Sequence, residues 1–341
     1  MGNPKILLVK LSSLGDILHN LPIAWDLRAR FPDAQIDWVV EEGYVNLLKP
    51  LLSNQHFRGI DRIIPFGLRG WKKSLFSLKT WQAFSVFKKD LQAQTYDIVI
   101  ETQGLLKSAL VCALANKSPH AIIAGLANAT EFSGYEPLAR AFYSQSVQVP
   151  TQCHAVDRSR WVMCSAMDIP LVVREISPQF YPPSFVEQIP NSQIFGLHRP
   201  YILCFHSTAR AAKRWSHENW IALGKSLAAE GYQIVFPWGN TEERSISEAL
   251  AMQVNHSLVP PAFSIDEAFA LIKGASLTIG VDTGLTHLAA VLDRPTVEIY
   301  CDSPRWKTEG YWSKQIRNVG DIQSPPSIQE VLVASLELLK S

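Results

Sequence analysis

Short apolar runs that alternate with helical stretches restrict the fold of this sequence more than any other feature. Residues 5–10 are mainly apolar, residues 11–16 form a Ser-, Gly- and Asp-containing loop, and residues 17–30 place apolar side chains at helical spacing. A second apolar run follows at residues 36–40. Apolar runs of this length are typical of parallel strands buried on both faces, with helices as crossovers. The pattern therefore predicts an α/β fold.

The same alternation begins again after a proline-rich stretch. We interpret residues 171–200 as a connection between domains, because prolines interrupt this part of the chain and no apolar periodicity is visible. The 341 residues provide length for roughly two domains. We therefore predict two Rossmann-like domains facing each other across a cleft, at residues 1–170 and 201–325, followed by a C-terminal helix at residues 326–341.

The elements of the second half can be predicted individually. Each apolar run there is followed by small or polar residues and then by helical spacing. The predicted strands are residues 201–205, 232–236, 277–281 and 296–300, and the predicted helices are residues 217–229, 264–272, 284–291 and 327–339.

Composition excludes several classes of protein. Lys plus Arg is 32 and Asp plus Glu is 31, so the net charge is +1, and 47% of the residues are hydrophobic. These values exclude a disordered chain and a strongly basic nucleic-acid-binding protein. No apolar run reaches the about 18 residues that a membrane-spanning helix requires. The five cysteines form no CxxC pair, which predicts free, mostly buried thiols rather than a zinc site.

The loop at residues 12–16 is the first candidate for chemistry, because ligands bind beyond the carboxyl ends of strands in such sheets. Gly15 permits close approach of the backbone. Asp16 has two interpretations: an acid that stabilises the helix N-terminus, or a carboxylate available as a general base. The loop lacks a GxGxxG pattern, so a dinucleotide-dependent oxidoreductase is not supported.

The loop at residues 206–215 carries two hydroxyls and three cations after a predicted strand. Ser207 and Thr208 can donate hydrogen bonds, and Lys213 adds a point charge, so the loop suits a diphosphate. The alternative is a solvated basic loop.

Two further loops follow strands in the second half. Asp282 and Thr283 precede Gly284 in an Asp-Thr-Gly sequence that resembles an anion-binding nest. A single such motif in an α/β context excludes an aspartic protease, which needs two. In the other loop, Glu242 or Glu243 either binds a ribose diol or stabilises the start of a helix.

A basic cluster interleaved with aromatic residues spans residues 69–89. It is either a pair of amphipathic helices with lysines in water, or a surface for an anionic amphiphile or membrane leaflet.

Together these segments resemble the lipopolysaccharide heptosyltransferases, the inverting glycosyltransferase family nine. The resemblance covers nearly the whole chain. Within the family, the sequence is most similar to the heptosyltransferase I branch. It rests on six segments in order: KLSSLGDILH (10–19), DWVVEE (37–42), TQGLLKS (102–108), HSTARAAKRW (206–215), PWG (237–239) and VDTGLTH (281–287). The sequence departs from the family pattern at residues 209–212, where a second hydroxyl and an acidic pair are expected. This departure affects the segment that is predicted to contact the donor.

The resemblance implies a GT-B fold and a role for each matching position. Asp16 matches the general base, and Lys213 matches the lysine that holds the donor phosphates and stabilises departing ADP. The implied donor-binding residues are Ser207, Thr208, Lys213, Glu242, Glu243, Phe263, Asp282, Thr283, Gly284 and His287, with Phe263 beside the adenine. The implied acceptor-binding residues are Ser13, Gly15, Arg69, Lys72, Lys73, Gln103 and Lys107.

The resemblance also implies the reaction. Heptose would pass with inversion from ADP-heptose to the Kdo of Kdo-lipid A, without a metal or other cofactor, in lipopolysaccharide inner-core synthesis. The expected location is the cytoplasm, peripherally on the anionic inner leaflet of the inner membrane, with no nucleic-acid partner. The alternatives are a heptosyltransferase II-like member with another acceptor, a GT-B-fold sugar-nucleotide epimerase, and a non-enzymatic nucleotide-sugar binder.

Overall fold

The computed structural model describes residues 3–73, 77–170, 178–190, 194–197, 200–208 and 210–340. It divides into two compact units, Met1–Pro182 and Pro183–Ser341, here called the N-terminal and C-terminal units. The division falls within residues 171–200, the segment predicted as a connection. The implied acceptor-binding residues fall in the N-terminal unit and the implied donor-binding residues in the C-terminal unit, so we predict an acceptor-binding and a donor-binding domain, and these roles remain predictions.

The N-terminal unit is built on a six-stranded sheet in the order β3-β2-β1-β4-β5-β6, and its strand pairs are parallel. The strands are β1 (Lys5–Val9), β2 (Gln35–Glu41), β3 (Arg62–Phe66), β4 (Tyr96–Glu101), β5 (Lys117–Leu126) and β6 (Gln145–Val147). The α-helices are α1 (Leu14–Leu18), α2 (Leu21–Arg30), α3 (Val45–Leu48), α4 (Leu68–Lys73), α5 (Leu78–Leu91), α6 (Leu106–Leu114) and α7 (Ala155–Met167).

The strand order of the N-terminal unit places its candidate site. The chain leaves β1 towards β2 on one side and later returns to pair β4 on the other side. The loops that follow β1 and β4 therefore diverge at a topological switch point, where ligands bind in open α/β sheets.

The C-terminal unit repeats this arrangement in the order β12-β11-β10-β7-β8-β9, also with parallel pairs. Its strands are β7 (Tyr201–Phe205), β8 (Gln233–Val235), β9 (Ser257–Leu258), β10 (Leu277–Val281), β11 (Thr296–Tyr300) and β12 (Ile316–Gly320). Its α-helices are α8 (Pro183–Gln188), α9 (His217–Ala229), α10 (Thr241–Ala251), α11 (Ile265–Gly274), α12 (Gly284–Val291), α13 (Arg305–Thr308) and α14 (Ile328–Lys340). The switch point lies between β7 and β10, so the loops after these two strands come together.

One sequence prediction about the first helix is wrong. Residues 17–30 were expected to form one helix after a loop that includes Asp16, but α1 already begins at Leu14 and α2 begins separately at Leu21. Pro22 in the first turn of α2 lacks an N–H and cannot continue the hydrogen bonding of α1. Asp16 therefore lies within α1, in its first turn.

The apolar runs form the two cores that their sequence pattern predicts. In the N-terminal unit, side chains such as Leu7 and Val99 are fully buried, and in the C-terminal unit Ile279 and Val297 are fully buried. The five cysteines are free, and four of them are buried, as expected. In the described parts of the chain, none of the helices has the length and apolar character needed to span a membrane.

Gly280 in β10 lies where α12 packs closely onto the sheet. A Cβ atom at position 280 would overlap the Oγ1 atom of Thr286. Thr286 is fully buried and donates a hydrogen bond to the carbonyl of Val281 at 2.9 Å. The absence of a side chain at Gly280 therefore lets the first turns of α12 dock beside Asp282.

We predict that Gly280→Ala lowers the free energy of unfolding by about 2 kcal/mol, because the added methyl group overpacks a filled core. For a domain of this size the loss corresponds to a decrease in Tm of roughly 5 °C, which thermal unfolding measures. Gly43→Ala is the control, since a Cβ atom there meets no atom within 4 Å. Equal melting temperatures for the two variants would contradict the packing argument.

Candidate active site

Asp16 lies in the first turn of α1, beyond the carboxyl end of β1. Its Oδ2 atom accepts hydrogen bonds from the backbone N–H of Ser13 at 3.0 Å and from the Ser13 hydroxyl at 2.8 Å. The ammonium of the buried Lys10 lies 3.9 Å from Oδ1. The Asp16 side chain keeps 45% of its surface exposed. The carboxylate is thus held on one side and open to solvent on the other.

The surroundings of Asp16 keep its carboxylate ionised. Packing around the group acts to raise its pKa, but the charge of Lys10, the hydrogen bonds from Ser13 and the charge of Arg158 lower the pKa to about 2. Asp16 can therefore accept a proton at any pH near neutrality. As a base it is weak, so a hydroxyl would transfer its proton only after becoming acidic in the transition state.

The predicted acceptor residue Gln103, which follows β4, is committed to the loop that holds Asp16. Its Oε1 atom accepts from the backbone N–H groups of Leu11 at 3.0 Å and Ser12 at 3.2 Å, and its Nε2 donates to the carbonyl of Ser12 at 2.6 Å. The amide of Gln103 therefore fixes the conformation of this loop. An acceptor contact by Gln103 remains a prediction.

Lys107 in α6 also reaches the Asp16 loop. Its ammonium donates to the Ser12 hydroxyl at 3.0 Å and lies 3.0 Å from a carboxylate oxygen of Glu41, at the end of β2. The structure thus brings together the loops after β1, β2 and β4. The other predicted acceptor cations, Arg69, Lys72 and Lys73, lie in α4, and their side chains are outside the part of the chain that the structure describes.

Sequence reasoning missed two buried charges near this loop. Glu101, fully buried at the end of β4, accepts hydrogen bonds from the N–H groups of Gln103 at 2.7 Å and Gly104 at 3.0 Å and from the Tyr143 hydroxyl at 2.5 Å. Arg158 from α7 is also buried. The sequence signal for Glu101 was a carboxylate at the end of an apolar run, because buried strands rarely contain a carboxylate that has no partner.

In the C-terminal unit, the predicted donor residues Lys213, Asp282 and His287 form one chain of alternating charge. The ammonium of Lys213 donates to Asp282 Oδ2. The other oxygen, Oδ1, lies 2.9 Å from His287 Nε2. His287 Nδ1 lies 2.8 Å from Oε1 of Glu298, a residue of β11 that sequence reasoning missed. Asp282, His287 and Glu298 are buried, so each charge depends on its neighbours for compensation.

The pKa values of His287 and Asp282 are shifted in the directions that their pairing requires. Burial acts to lower the pKa of His287, but Glu298 and Asp282 raise it to about 10, so the imidazole is protonated at neutral pH. Burial acts to raise the pKa of Asp282, but hydrogen bonding and charge from His287 and Lys213 hold that pKa well below its ordinary value.

The two predicted phosphate-binding hydroxyls are oriented by other groups. Burial lowers the pKa of His206 to about 4, so its imidazole is neutral. Ser247 donates to the carbonyl of Pro237 at 3.3 Å, so it accepts from His206 Nε2 at 2.7 Å, and His206 Nδ1 then accepts from Ser207 at 2.8 Å. Thr208 donates to the carbonyl of Asp282 at 3.3 Å. Donation by either hydroxyl to a phosphate therefore requires its rotation.

The Asp-Thr-Gly segment ends at a helix N-terminus, as predicted. Thr283 is the N-cap residue of α12, and its side chain makes no capping hydrogen bond. Gly284 begins the helix, whose N-terminal N–H groups and dipole favour an anion. The Lys213 ammonium is tied to Asp282, the residue directly before this N-cap. Backbone donors and a cation therefore lie close together.

The two glutamates proposed for ribose differ in availability. Glu243 accepts from the N–H of Gly239 at 2.7 Å and from the Asn240 side chain at 2.9 Å, so it stabilises the start of α10. Glu242 is 73% exposed in its side chain and lies 3.6 Å from the Arg214 guanidinium. Phe263, proposed for adenine, precedes α11 and has its ring centroid 6.2 Å from that of Phe195.

No group of three or more His, Cys, Asp or Glu side chains suited to a metal ion occurs among the described residues. The expectation of a metal-independent reaction remains a prediction.

Comparison with known proteins identifies the family. Residues 85–335 match the model of glycosyltransferase family 9 (heptosyltransferase). Over 326 residues the chain is 32% identical to lipopolysaccharide heptosyltransferase 1 of Pseudomonas aeruginosa. The alignment covers 96% of this chain and 86% of that protein.

Solved structures agree with this assignment. Escherichia coli heptosyltransferase WaaC with ADP superposes with a TM-score of 0.80 at 30% identity, covering 98% of this chain and 99% of that one. The same protein with ADP-2-deoxy-2-fluoro heptose gives a TM-score of 0.74 at 30% identity, with 98% of each chain covered. The predicted fold class and family are thereby confirmed. This chain belongs to glycosyltransferase family 9, the heptosyltransferases, and is a glycosyltransferase of the GT-B type.

Proposed function

We propose that this protein transfers L-glycero-D-manno-heptose from ADP-heptose to the Kdo of Kdo-lipid A in lipopolysaccharide inner-core synthesis, with inversion at the anomeric carbon. The observation that carries the proposal is the Lys213–Asp282 pair beside the N-terminus of α12, in a chain of this family. Two solved structures of one relative, Escherichia coli WaaC, superpose on the chain and hold ADP or an ADP-heptose analogue, which supports the donor.

In this proposal the C-terminal unit binds the donor. Lys213 and the N–H groups at the start of α12 contact the diphosphate, and they stabilise the negative charge that ADP acquires as the bond between its β-phosphate oxygen and the anomeric carbon breaks. Glu242 binds the ribose, and Phe263 packs on the adenine. These donors compensate the diphosphate charge without a metal ion.

The N-terminal unit supplies the base. A hydroxyl of Kdo attacks the anomeric carbon from the face opposite to ADP, and Asp16 accepts the hydroxyl proton as the new bond forms. The acidic groups of Kdo would raise the pKa of Asp16 when the acceptor binds, because like charges disfavour the ionised carboxylate. The acceptor would thus strengthen the base that acts on it. Ser13, Gly15, Gln103 and Lys107 surround this position, and Arg69, Lys72 and Lys73 are proposed to meet the acceptor's anionic groups.

We propose a peripheral location on the cytoplasmic side of the inner membrane, and the exposed face of α5 supports contact with an anionic lipid surface. Leu78 is 74% exposed and Trp81 is 60% exposed, while Phe87 and Leu91 on the other side pack into the core. Lys88 and Lys89 are exposed at the end of the same helix. Apolar side chains flanked by lysines suit an anionic lipid surface.

The reaction is tested by mass spectrometry of products formed from ADP-heptose in buffer that contains EDTA. We expect Kdo-lipid A to gain one heptose. The reaction should proceed in the presence of EDTA, because the proposed site needs no metal. Already heptosylated acceptor and donor alone should remain unchanged. Preferential extension of the heptosylated acceptor would indicate a later heptosyltransferase, and consumption of donor alone would indicate an epimerase. Dependence on a divalent cation would contradict the proposed donor contacts.

Single substitutions separate the two proposed roles. Asp16→Asn should reduce kcat at least about 100-fold, since it removes the base, while ADP binds with unchanged Kd. Lys213→Ala should instead weaken ADP binding and turnover together, because it removes a charge-assisted contact. Calorimetry with ADP and steady-state kinetics measure both variants. Near-normal turnover in Asp16→Asn, or an unchanged Kd in Lys213→Ala, would refute the corresponding role.

The membrane surface is tested with Lys88→Gln/Lys89→Gln in co-sedimentation with vesicles that contain phosphatidylglycerol. We expect the affinity to fall at least about tenfold, because each lysine near an anionic surface contributes about 1 kcal/mol. Met252→Ser, which alters an 86% exposed side chain of the C-terminal unit, is the control. Equal binding by both variants would argue against α5 as the contact surface.

A further inference from the structure

Glu298 is a carboxylate at an unusual position, inside a buried parallel strand. It lies in β11 and has no exposed surface. Its Oε2 atom accepts hydrogen bonds from the Gly310 N–H at 2.8 Å and from the Tyr300 hydroxyl at 3.1 Å. Its Oε1 atom contacts His287 at 2.8 Å. A buried carboxylate costs several kcal/mol in desolvation, so this one requires charge compensation from a partner.

The compensating charge is the imidazole of His287. Its two ring nitrogens face two carboxylates, Glu298 on one side and Asp282 on the other. Both nitrogens can donate only when the ring is protonated, because a neutral ring has one donor and one acceptor. Two ionised carboxylates accept hydrogen bonds and cannot donate them. The arrangement therefore matches an imidazolium.

Asp282 links this imidazolium to the proposed donor site. Its negative charge is shared between His287 and Lys213. Thr308 of α13 also donates to Oδ1 at 3.3 Å. A charged His287 takes part of the Asp282 charge, which leaves more of the Lys213 charge for a bound anion. If His287 were neutral, Asp282 would keep its hydrogen bonds from His287 and Thr308, but of the groups that the structure describes only Lys213 would compensate its charge.

We infer that Glu298 is a positioning residue for donor binding, which keeps His287 charged and, through Asp282, makes the Lys213 ammonium available to the diphosphate. The inference rests on the proposed function, since it takes Lys213 as a diphosphate contact. It adds a residue that does not itself touch the donor.

Other charged groups around His287 do not replace Glu298. Among the residues that the structure describes, its ring nitrogens contact Asp282 after β10 and Glu298 on β11, and Lys213 pairs with Asp282. Tyr300 of β11 stays protonated, because burial and the nearby carboxylates raise its pKa. On α13, Arg305 pairs with Glu309 at 3.0 Å, and Lys307 belongs to the same short helix. Of the two carboxylates that contact His287, Glu298 makes the largest single contribution to raising its pKa, and Asp282 is the one that also pairs with Lys213.

Glu298→Gln tests this inference with little change in shape. The glutamine oxygen can still accept from the Gly310 N–H, and its amide can donate to Nδ1 of a neutral His287, whose Nε2–H still donates to Asp282. The hydrogen bonds are preserved, while the negative charge that stabilises the second proton on His287 is removed. A purely structural role therefore predicts little effect on ligand binding, whereas the positioning role predicts weaker binding.

The first measurement follows the protonation of His287 by NMR of protein labelled at ¹³Cε1 of histidine. Each of the nine histidines contributes one signal. In the parent protein we expect His287 to stay protonated to about pH 9, consistent with its pKa of about 10. In Glu298→Gln we expect its pKa to fall to roughly 7–9, because loss of an adjacent carboxylate charge shifts a pKa by roughly 1–3. Neutral His287 in the parent at pH 7 would overturn the inference.

The second measurement is the Kd of ADP by calorimetry, at a pH where the NMR titrations show His287 protonated in the parent and neutral in Glu298→Gln. We expect a roughly tenfold increase for Glu298→Gln, equivalent to about 1.4 kcal/mol. Glu298→Asp, which retains the charge, should keep His287 protonated and recover most of the affinity. Tyr300→Phe, which removes a neutral donor to Glu298, should leave the ADP affinity near the parent value.

An unchanged ADP affinity in Glu298→Gln with a neutral His287 would overturn the positioning role. Neither measurement needs an acceptor or turnover. A protein that shows these shifts but transfers no heptose would therefore refute the proposed reaction and leave the role of Glu298 intact.

Discussion

Pairing of buried charges within parallel strands and just beyond their carboxyl ends is the constraint on which both candidate sites depend. The strands are mainly apolar and buried, so a charged side chain in them or near their ends requires a partner inside the protein. Lys10 lies beside Asp16, Lys107 beside Glu41, and Glu298 contacts His287. These pairs hold the loops after the strands in defined conformations, and the loops carry the groups proposed for chemistry.

The two units use this constraint differently. In the N-terminal unit, charges and backbone donors around Asp16 keep a carboxylate ionised while leaving it partly exposed. In the C-terminal unit, alternating charges from β11 to Lys213 hold a cation beside a helix N-terminus. A carboxylate and a fixed cation are the two functions that inverting transfer of a sugar from a diphosphate requires.

Much of the fold was predictable because buried parallel strands have a strong sequence signal. The predicted ranges 277–281, 284–291 and 296–300 coincide with β10, α12 and β11. The single helix predicted for residues 17–30 was wrong, because Pro22 divides it. In the site, the loops were predicted from their places after strands. The partners Glu101 and Glu298 were not, because which buried charges meet depends on strand order, which local sequence does not reveal.

The anomeric configuration of the transferred heptose tests the central claim most directly. Asp16 as the base and Lys213 as the stabiliser of ADP describe a single displacement, in which the acceptor oxygen replaces the ADP oxygen from the opposite face. NMR of the product formed from ADP-heptose labelled with ¹³C at the anomeric carbon reports the configuration through the one-bond carbon–proton coupling. The account predicts inversion relative to the donor. Retention would contradict it, because retention requires a second displacement or attack from the face that ADP leaves.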